Sequence, residues 1–270
     1  MHEGAAAEYL ARIGLAPPAP DPAGLAAVVH AHRRSIAFEN LDVLLGRGIS
    51  LAPERIFDKL VRRGRGGYCF EHNLLLQRML AAFGLASEPL LARARLQAVP
   101  GEVPPRTHLI LRVRIGGEVW IADAGFGGSY APPMRLAEAA PVEGPDGVRH
   151  RLRRVGAPGS DSGEWLLERS PGSGEAWQPQ YSFDTLVAPP VDIELANHWT
   201  STRPGQRFTT LHIVGRVTAR GTAFLTDRTF TPASGARREV ADADELHRLL
   251  ADVFAVPLSR AEVAALPLFA

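Results

Sequence analysis

Hydrophobic residues in the first part of the chain recur at helical spacing. The groups are Tyr9, Leu10 and Ile13, then Leu25, Val28 and Val29, then Ile56, Leu60 and Val61. Residues three or four positions apart lie on one face of a helix, so each group predicts an amphipathic helix with one buried face. Prolines between the groups, such as Pro53, end one helix before the next begins. We therefore expect a helical domain over residues 1–86.

The hydrophobic pattern changes after residue 86, where short strand-like runs replace the helical period. The runs cover residues 107–115, 119–122, 149–155 and 165–168. Glycine, proline and serine separate them, which is typical of strands joined by turns. We therefore expect an antiparallel β-sheet or β-barrel domain over residues 87–190.

The last part of the chain mixes the two patterns. Strand-like runs around residues 208–217, 223–225 and 237–240 precede a helical stretch at 242–254, whose apolar residues share one face. This mixture predicts a third domain, of α/β type, over residues 191–270. The whole chain is expected to belong to the α+β class.

Charge and composition narrow the classes of function. The 30 basic and 29 acidic side chains leave a net charge of +1, which argues against nucleic acid or a membrane surface as the partner and favours small molecules. We expect no secretory signal, because Glu3 and Glu8 interrupt the start of the sequence, and no run of about 18 apolar residues that could cross a membrane. The single cysteine excludes an internal disulfide and a multi-cysteine zinc site, which fits a reducing cytoplasm.

Cys69 is therefore either a buried apolar residue or a nucleophile. It follows Gly66 and Gly67 and precedes a helical pattern that ends near Gly84. At a helix N-terminus the free backbone N–H groups and the helix dipole favour a thiolate, and the paired glycines allow a ligand to approach closely. Burial is the commoner role of a free cysteine, so a catalytic role requires a partner.

A predicted β-hairpin supplies such a partner. Two strand-like runs flank glycines at positions 116 and 117, which is a strong signal for a two-residue turn. Counting outward from this turn places Ile110 opposite Asp123, so His108 becomes a diagonal neighbour of Asp123 on the same face. Diagonal pairs lie about 7–8 Å apart at the backbone, within reach of an imidazole–carboxylate hydrogen bond. In a triad, such a carboxylate orients the imidazole, and the other ring nitrogen accepts the proton of the thiol.

Four sequence blocks together resemble the arylamine N-acetyltransferase family. They are FENLD at 38–42, RGGYCFEHN at 65–73, RTH at 106–108 and ADAGFGG at 122–128. The resemblance implies a helical bundle, an antiparallel β-barrel and an α/β lid. It also implies a papain- or transglutaminase-like triad of Cys69, His108 and Asp123. Ala37 departs from the proline that relatives usually carry before this first block, which concerns the local pocket shape and leaves the triad intact.

The resemblance further implies a ping-pong reaction. An acetyl group passes from acetyl-coenzyme A to Cys69 and then to an arylamine, arylhydroxylamine or hydrazine. Acetyl-coenzyme A is then a co-substrate, with no permanently bound cofactor. No metal is expected either, because the His30-x-His32 pair has no further ligand set around it.

Three groups of further site residues follow from the resemblance. Phe38, Phe126 and Phe208 are expected to shape the acceptor pocket. Thr107, Gly125, Gly127 and Gly128 are expected near coenzyme A or the thioester. Glu39 and Arg65 are expected to form a structural ion pair that supports the Cys69 loop.

Other functions fit part of the pattern. An amide synthase of the same family would use the same triad to close a macrolactam from a carrier-bound polyketide onto an arylamine. It would need a wide apolar channel and a basic patch for the acyl carrier protein. A cysteine protease or transglutaminase is conceivable from the triad alone, because the triad does not specify the acyl donor. A non-catalytic binding module usually lacks a triad residue, and here all are present.

Overall fold

A computed structural model describes residues 4–96, 98, 102–144, 146–156, 164–172 and 175–269. The helices are α1 (Ala5–Ile13), α2 (Pro22–Ser35), α3 (Leu41–Leu44), α4 (Pro53–Phe57), which continues as a π-helical turn (Asp58–Arg62), α5 (Cys69–Ala82), α6 (Pro190–Thr202), α7 (Arg207–Thr210), α8 (Ala243–Asp252) and α9 (Arg260–Ala264). The strands are β1 (Phe38–Glu39), β2 (Ser87–Ala94), β3 (Arg106–Ile115), β4 (Glu118–Ala122), β5 (Met134–Arg135), β6 (Val142–Glu143), β7 (Arg149–Val155), β8 (Glu164–Ser170), β9 (Gln178–Val187), β10 (Ile213–Thr218), β11 (Gly221–Thr226), β12 (Thr229–Thr231) and β13 (Arg238–Glu239).

The N-terminal helices bury the apolar faces that the sequence pattern predicts. Tyr9, Val28 and Leu60, from different helical segments, share one buried cluster with Leu76 and Met79 of α5. Helix α2 begins where Asp21 accepts a hydrogen bond from the N–H of Gly24 at 2.7 Å, and a proline occupies its first turn. The second half of helix α5 is therefore packed on the bundle, while Cys69 and Phe70 of its first turn belong to a separate apolar cluster.

An eight-stranded antiparallel sheet follows, in the order β5-β4-β3-β2-β9-β8-β7-β6. It curls into a barrel shape, because residues from both ends of this order, such as Met134 of β5 and Leu152 of β7, belong to one apolar cluster with Ile110 and Tyr181. Strands β3 and β4 form the predicted hairpin, with Gly116 at φ +58° and Gly117 at φ +81° in its turn. The α+β class, with a helical bundle and an antiparallel barrel, is thus confirmed.

The second sheet joins the two ends of the chain. Its order is β1-β10-β11-β12-β13, and Phe38 and Glu39 of β1 pair with Gly215 and Val214 of β10. Residues 1–86 are therefore not wholly helical, because strand β1 belongs to the sheet formed by residues 191–270. Helices α8 and α9 pack on this sheet through residues such as Leu250 and Val263. No described helix is both long and apolar enough to cross a membrane.

The expected strand around residues 208–217 was wrong in its first half. Phe208 lies in the short helix α7, and β10 begins only at Ile213. The amide of Asn40 donates hydrogen bonds to the carbonyls of Phe208 and Leu211, at 2.9 and 2.8 Å. These carbonyls are satisfied by a side chain, so this segment turns instead of joining the sheet.

Candidate active site

Cys69 is the first residue of α5, after Tyr68 at the N-cap. Two glycines make the tight approach to this helix possible: a Cβ on Gly66 would meet the Ala37 carbonyl oxygen at 2.3 Å, and one on Gly67 would meet the Glu71 carboxylate at 2.7 Å. The Glu71 carboxylate accepts a hydrogen bond from the Tyr68 N–H at 3.1 Å. The Cys69 Sγ is buried and lies 3.7 Å from the Thr107 carbonyl oxygen.

His108 and Asp123 are joined directly, with 2.7 Å between His108 Nε2 and Asp123 Oδ2. The hairpin register that brings them together matches the predicted one, since Leu111 pairs with Ala122 and Ile115 with Glu118. Strand β4 ends at Ala122, so Asp123 is the first residue beyond the ladder and its side chain is free to turn towards the imidazole. Nε2 of His108 is bonded to Asp123, and the ring also makes a side-chain hydrogen bond with Cys69, for which Nδ1 is the remaining nitrogen.

Asn73 holds the Asp123 carboxylate in place. Its Nδ2 donates to Asp123 Oδ1 at 2.9 Å and to the Leu109 carbonyl at 2.6 Å, while its Oδ1 accepts from the Ala124 N–H at 3.0 Å. Asp123 Oδ1 also accepts from the Gly125 N–H at 2.8 Å. Helix α5 thus supplies both the thiol and, one turn later, the amide that orients the carboxylate.

The electrostatics of the pair favour a charged imidazole. Burial opposes the charge, but the Asp123 carboxylate and the Cys69 side chain outweigh it and raise the pKa of His108 to about 10. Burial likewise acts to raise the pKa of Asp123, yet His108, Asn73 and Arg33 together hold it below its usual value. The site therefore stabilises an imidazolium–carboxylate pair beside the thiol.

A cavity of about 170 Å³ opens onto these groups. Its described lining is Phe38, Cys69, Ala94, Leu96, Thr107, His108, Gly125, Phe126, Gly127, Gly128, Trp199, Thr200, Gln206, Arg207, Phe208 and Ile213. Every residue that the sequence suggested for the acceptor pocket or the coenzyme A side lines this cavity. Asp123 lies behind His108, and Glu39 and Arg65 lie outside the cavity.

The segment after Asp123 can lie so close to the nucleophile only because it is glycine-rich. A Cβ on Gly125 would lie 2.6 Å from the Cys69 Cα, and one on Gly127 would lie 2.9 Å from the Phe38 ring. A Cβ on Gly128 would meet the Leu96 and Phe126 side chains at 2.7 and 2.9 Å. Arg33 secures the same segment by donating to the carbonyls of Phe126 and Ser129 at 3.1 and 2.9 Å.

Glu39 and Arg65 form a buried ion pair at 2.7 Å. The pair extends into a larger network, because Arg65 also contacts Asp42 at 3.0 Å and Lys59 contacts both Asp42 and Glu71 at 2.8 Å. The same Glu71 caps α5, so the network ends at the turn that carries Cys69. Its charges are paired within the protein and do not line the catalytic cavity.

A chain of hydrogen bonds runs behind the cavity. The Tyr9 hydroxyl lies 2.8 Å from His32 Nδ1, His32 Nε2 lies 2.8 Å from His72 Nδ1, and His72 Nε2 lies 3.1 Å from the Ala37 carbonyl oxygen. The lowered pKa values of His32 and His72 keep both rings neutral. Since the carbonyl can only accept, one proton arrangement then satisfies every bond: each histidine carries its proton on Nε2, and the tyrosine donates. His30 bonds Tyr130 instead, and no metal-binding cluster occurs among the described residues.

Asn73 is the main site residue that reasoning from the sequence missed. It stands four residues after Cys69, a spacing that places two residues on the same helix face and offered a usable signal. Trp199, Thr200, Gln206 and Arg207 were also missed. They reach the cavity from α6 and α7, more than 120 residues further along the chain, and no local pattern indicates that contact.

Comparisons with known sequences place the chain among N-acetyltransferases. A family model described as N-acetyltransferase matches residues 23–263. The chain is 42% identical over 216 residues to the arylamine N-acetyltransferase of Mycolicibacterium smegmatis, covering 78% of this chain and 75% of that relative. It is 40% identical over 179 residues to the arylamine N-acetyltransferase / N-hydroxyarylamine O-acetyltransferase of Salmonella typhimurium, covering 66% of this chain and 60% of that relative.

Solved structures extend the match along almost the whole chain. The arylamine N-acetyltransferase from Salmonella typhimurium superposes with a TM-score of 0.89 at 32% identity, covering 98% of both chains. The Mycobacterium marinum enzyme in complex with CoA superposes with a TM-score of 0.86 at 30% identity, covering 96% of this chain and 97% of that one. The sequence blocks, the fold and these matches agree: the chain belongs to the arylamine N-acetyltransferase family.

Proposed function

We propose that this protein transfers an acetyl group from acetyl-coenzyme A to Cys69 and from there to an arylamine, arylhydroxylamine or hydrazine. One observation carries the proposal: the Cys69 thiol and His108 face a single cavity in a member of this family, and Asp123 holds the imidazole from behind, with 2.7 Å between Nε2 and Oδ2. The relatives named above are arylamine N-acetyltransferases, and one of them was solved with CoA bound.

In the first half-reaction, His108 Nδ1 takes the thiol proton and the Cys69 thiolate attacks the thioester carbonyl of acetyl-coenzyme A. A C–S bond forms to Cys69 while the bond to the coenzyme A sulfur breaks. The departing coenzyme A thiolate receives the proton that His108 holds. The raised pKa of His108 supports the first proton transfer, because it favours an imidazolium over a neutral ring beside Cys69.

In the second half-reaction, the amine nitrogen of the acceptor attacks the acetyl-Cys69 carbonyl. The bond to Cys69 breaks, the thiolate returns, and His108 accepts the proton that the amine loses. An aromatic amine is neutral at pH 7 and can attack directly, whereas an alkylammonium must first lose a proton. This difference favours aromatic amines and hydrazines as acceptors.

The remaining residues receive supporting roles in this proposal. Phe38, Phe126 and Phe208 form aromatic walls for the acceptor, with 5.8 Å between the ring centres of Phe38 and Phe208. Thr107 and the segment 125–128 border the place where the thioester reacts. The Glu39–Arg65 pair acts structurally, through the network that ends at Glu71.

In this proposal, residues 1–86 form the domain that carries the nucleophile Cys69, and residues 87–190 form the domain that carries His108 and Asp123. Residues 191–270 form the lid, which contributes Phe208 to the cavity. Location in a reducing cytoplasm follows from the lone cysteine and stays a prediction. No observation favours macrolactam formation or a carrier-protein partner.

Mass spectrometry of the intact protein tests the acyl-enzyme. Incubation with acetyl-coenzyme A should add one acetyl group, located at Cys69 by peptide mapping. A subsequent addition of an arylamine or hydrazine should remove it. Cys69→Ala should gain no acetyl group at all. An unmodified wild-type protein, or an equal adduct on Cys69→Ala, would contradict the proposal.

A further inference from the structure

Three arginine and lysine side chains are buried in the described part of the chain: Arg33, Lys59 and Arg65. Lys59 lies 2.8 Å from the Glu71 carboxylate. Arg65 lies 2.7 Å from the Glu39 carboxylate. Arg33, on α2, forms no ion pair with any described carboxylate, and its Nη1 has no described hydrogen-bond partner. Removing a guanidinium from water without an opposite charge is costly, so the burial of Arg33 needs a compensating interaction.

Hydrogen bonds fix Arg33 behind the segment that follows Asp123. The Nη2 of Arg33 donates to the carbonyls of Phe126 and Ser129, at 3.1 and 2.9 Å. The residue before Phe126 is Gly125, whose N–H donates to Asp123 Oδ1 at 2.8 Å. Neutral carbonyls orient the guanidinium, but they leave its positive charge unbalanced.

The groups that act electrostatically on Arg33 leave Asp123 as its buried counter-charge. Burial lowers the pKa of Arg33, and the strongest charge that opposes this is the Asp123 carboxylate. Asp146 acts in the same direction, but it is exposed and water screens its charge. The other titratable neighbours are Tyr130, Tyr181, His32, His72 and His150. Burial raises the pKa of these tyrosines and lowers the pKa of these histidines, so all of them are neutral at pH 7.

The charge beside Asp123 changes during the proposed reaction. The described groups that face this carboxylate are His108 on β3, Asn73 on α5, Tyr181 on β9 and Arg33 on α2. Among them His108 changes its charge, since it becomes neutral when it gives its proton to coenzyme A. At that stage Arg33 is the remaining cation near the buried Asp123 carboxylate. A cation that is already fixed in place stabilises this state without reorganisation.

We propose that Arg33 is a positioning residue of the acetyl transfer and acts through Asp123: it is the buried counter-cation of this carboxylate and holds the backbone that follows it. The inference rests on the proposed function and adds a residue from α2 to the groups that control the triad. Arg33 is not among the described residues that line the catalytic cavity, so it contacts neither the substrates nor the reacting atoms. Its positive charge favours the deprotonated form of each acidic group nearby, so removing it should move formation of the Cys69 thiolate to higher pH.

Alkylation of Cys69 by iodoacetamide measures this titration directly. The thiolate is the reactive form, and Cys69 is the only cysteine of the chain, so the reaction reports on one site. The rate is measured from pH 5 to 9 for wild type, Arg33→Met, Arg33→Lys and Arg34→Met. Methionine is an unbranched side chain without the charge of arginine, and lysine keeps the charge. Arg34 is the exposed neighbour on α2 and serves as the control.

For Arg33→Met, we expect the midpoint of the pH profile to rise by roughly 0.5–1 pH unit. Arg33→Lys and Arg34→Met should keep the wild-type midpoint. A midpoint of Arg33→Met equal to that of wild type, or an equal rise in Arg33→Lys or Arg34→Met, overturns the proposal. Arg33→Gln, which is also neutral, is measured alongside and is judged by the same criterion if circular dichroism shows that Arg33→Met does not fold.

Failure of acetyl transfer itself is distinguishable, because alkylation requires neither acetyl-coenzyme A nor an acceptor. Single-turnover acetylation of Cys69 at pH 7 is measured on the same proteins. Arg33→Met should be acetylated up to roughly tenfold more slowly than wild type, since one pH unit corresponds to a factor of ten. An unchanged acetylation rate overturns the role of Arg33 in the transfer. A wild-type protein that gains no acetyl group contradicts the proposed function, while the alkylation midpoints still decide whether Arg33 controls the triad.

Discussion

Both carboxylate oxygens of Asp123 are hydrogen-bonded. One carboxylate oxygen binds His108, and the other accepts from the Asn73 amide and the Gly125 N–H. A carboxylate held on both oxygens cannot rotate away from the imidazole, so the direction of the His108 ring depends on Asn73 as well as on Asp123. Asn73 acts through Asp123 and is a positioning residue.

Asn73→Ala tests this dependence. The change leaves the buried Ala124 N–H without its partner, which should lower the free energy of unfolding by about 1–3 kcal/mol. Loss of alignment at His108 should also slow Cys69 acetylation in a single turnover, by up to about 100-fold. Gln77→Ala, two turns along from Cys69 on the same helix, is the control. Equal acetylation rates in the two variants would remove Asn73 from the positioning role.

Helices α2 and α5 meet at His32 and His72, which lie 2.8 Å apart. The fold lowers the pKa of both histidines, so acid conditions destabilise this contact. Burial is the largest cause that lowers the pKa of His72 to about 4, and burial with the neighbouring cations lowers the pKa of His32 well below its usual value. The native chain thus excludes protons that the unfolded chain binds near pH 6.5. Their contribution to stability is complete above this pH and is lost as the pH falls towards 4.

We therefore expect the free energy of unfolding to decrease below pH 6.5, by about 1.4 kcal/mol per pH unit for each of these histidines. His72→Gln removes one titration while a side-chain amide can still donate to the Ala37 carbonyl. Urea unfolding between pH 5 and 7.5 should show a flatter slope in this variant. His247→Gln, on α8, should keep the wild-type slope. Parallel slopes for His72→Gln and wild type would show that the helix contact does not control acid stability.

At the level of elements, the sequence predicts those whose buried face follows a simple period. The β3–β4 hairpin could be placed to its register, because a Gly-Gly turn fixes the pairing and the apolar residues alternate. Helix α6 could not, because Val191, Leu195 and Trp199 are exposed on it and the apolar face does not mark the core. Strands β2 and β9 also could not be predicted from the sequence, because Pro89 and Pro179 interrupt their hydrophobic patterns.

At the level of the whole molecule, the three regions are joined through the active-site wall. Strand β1 pairs with β10, and Ala37 and Leu41 belong to the same apolar cluster as Leu250. Asn40 bonds the carbonyls of Phe208 and Leu211, and its Oδ1 accepts from the Ile213 N–H at 2.8 Å. These contacts join residues far apart in the sequence. Composition and local hydrophobic pattern therefore predict where each region begins and ends, but they do not predict the contacts between the regions.

This interlocking should make the chain unfold as one cooperative unit, with a calorimetric enthalpy equal to the van't Hoff enthalpy. Asn40→Ala leaves the Ile213 N–H and the two carbonyls buried without their partner, which should cost about 2–3 kcal/mol and lower Tm by roughly 5–10 °C. The shift should be the same by tryptophan fluorescence, far-UV circular dichroism and calorimetry, because no region can lose its partner and stay folded. Gln178→Ala, exposed on β9, is the control with unchanged Tm. A second transition appearing in Asn40→Ala, with the barrel melting at its wild-type temperature, would mean that the lid and barrel fold independently and that the cavity between them can open without global unfolding.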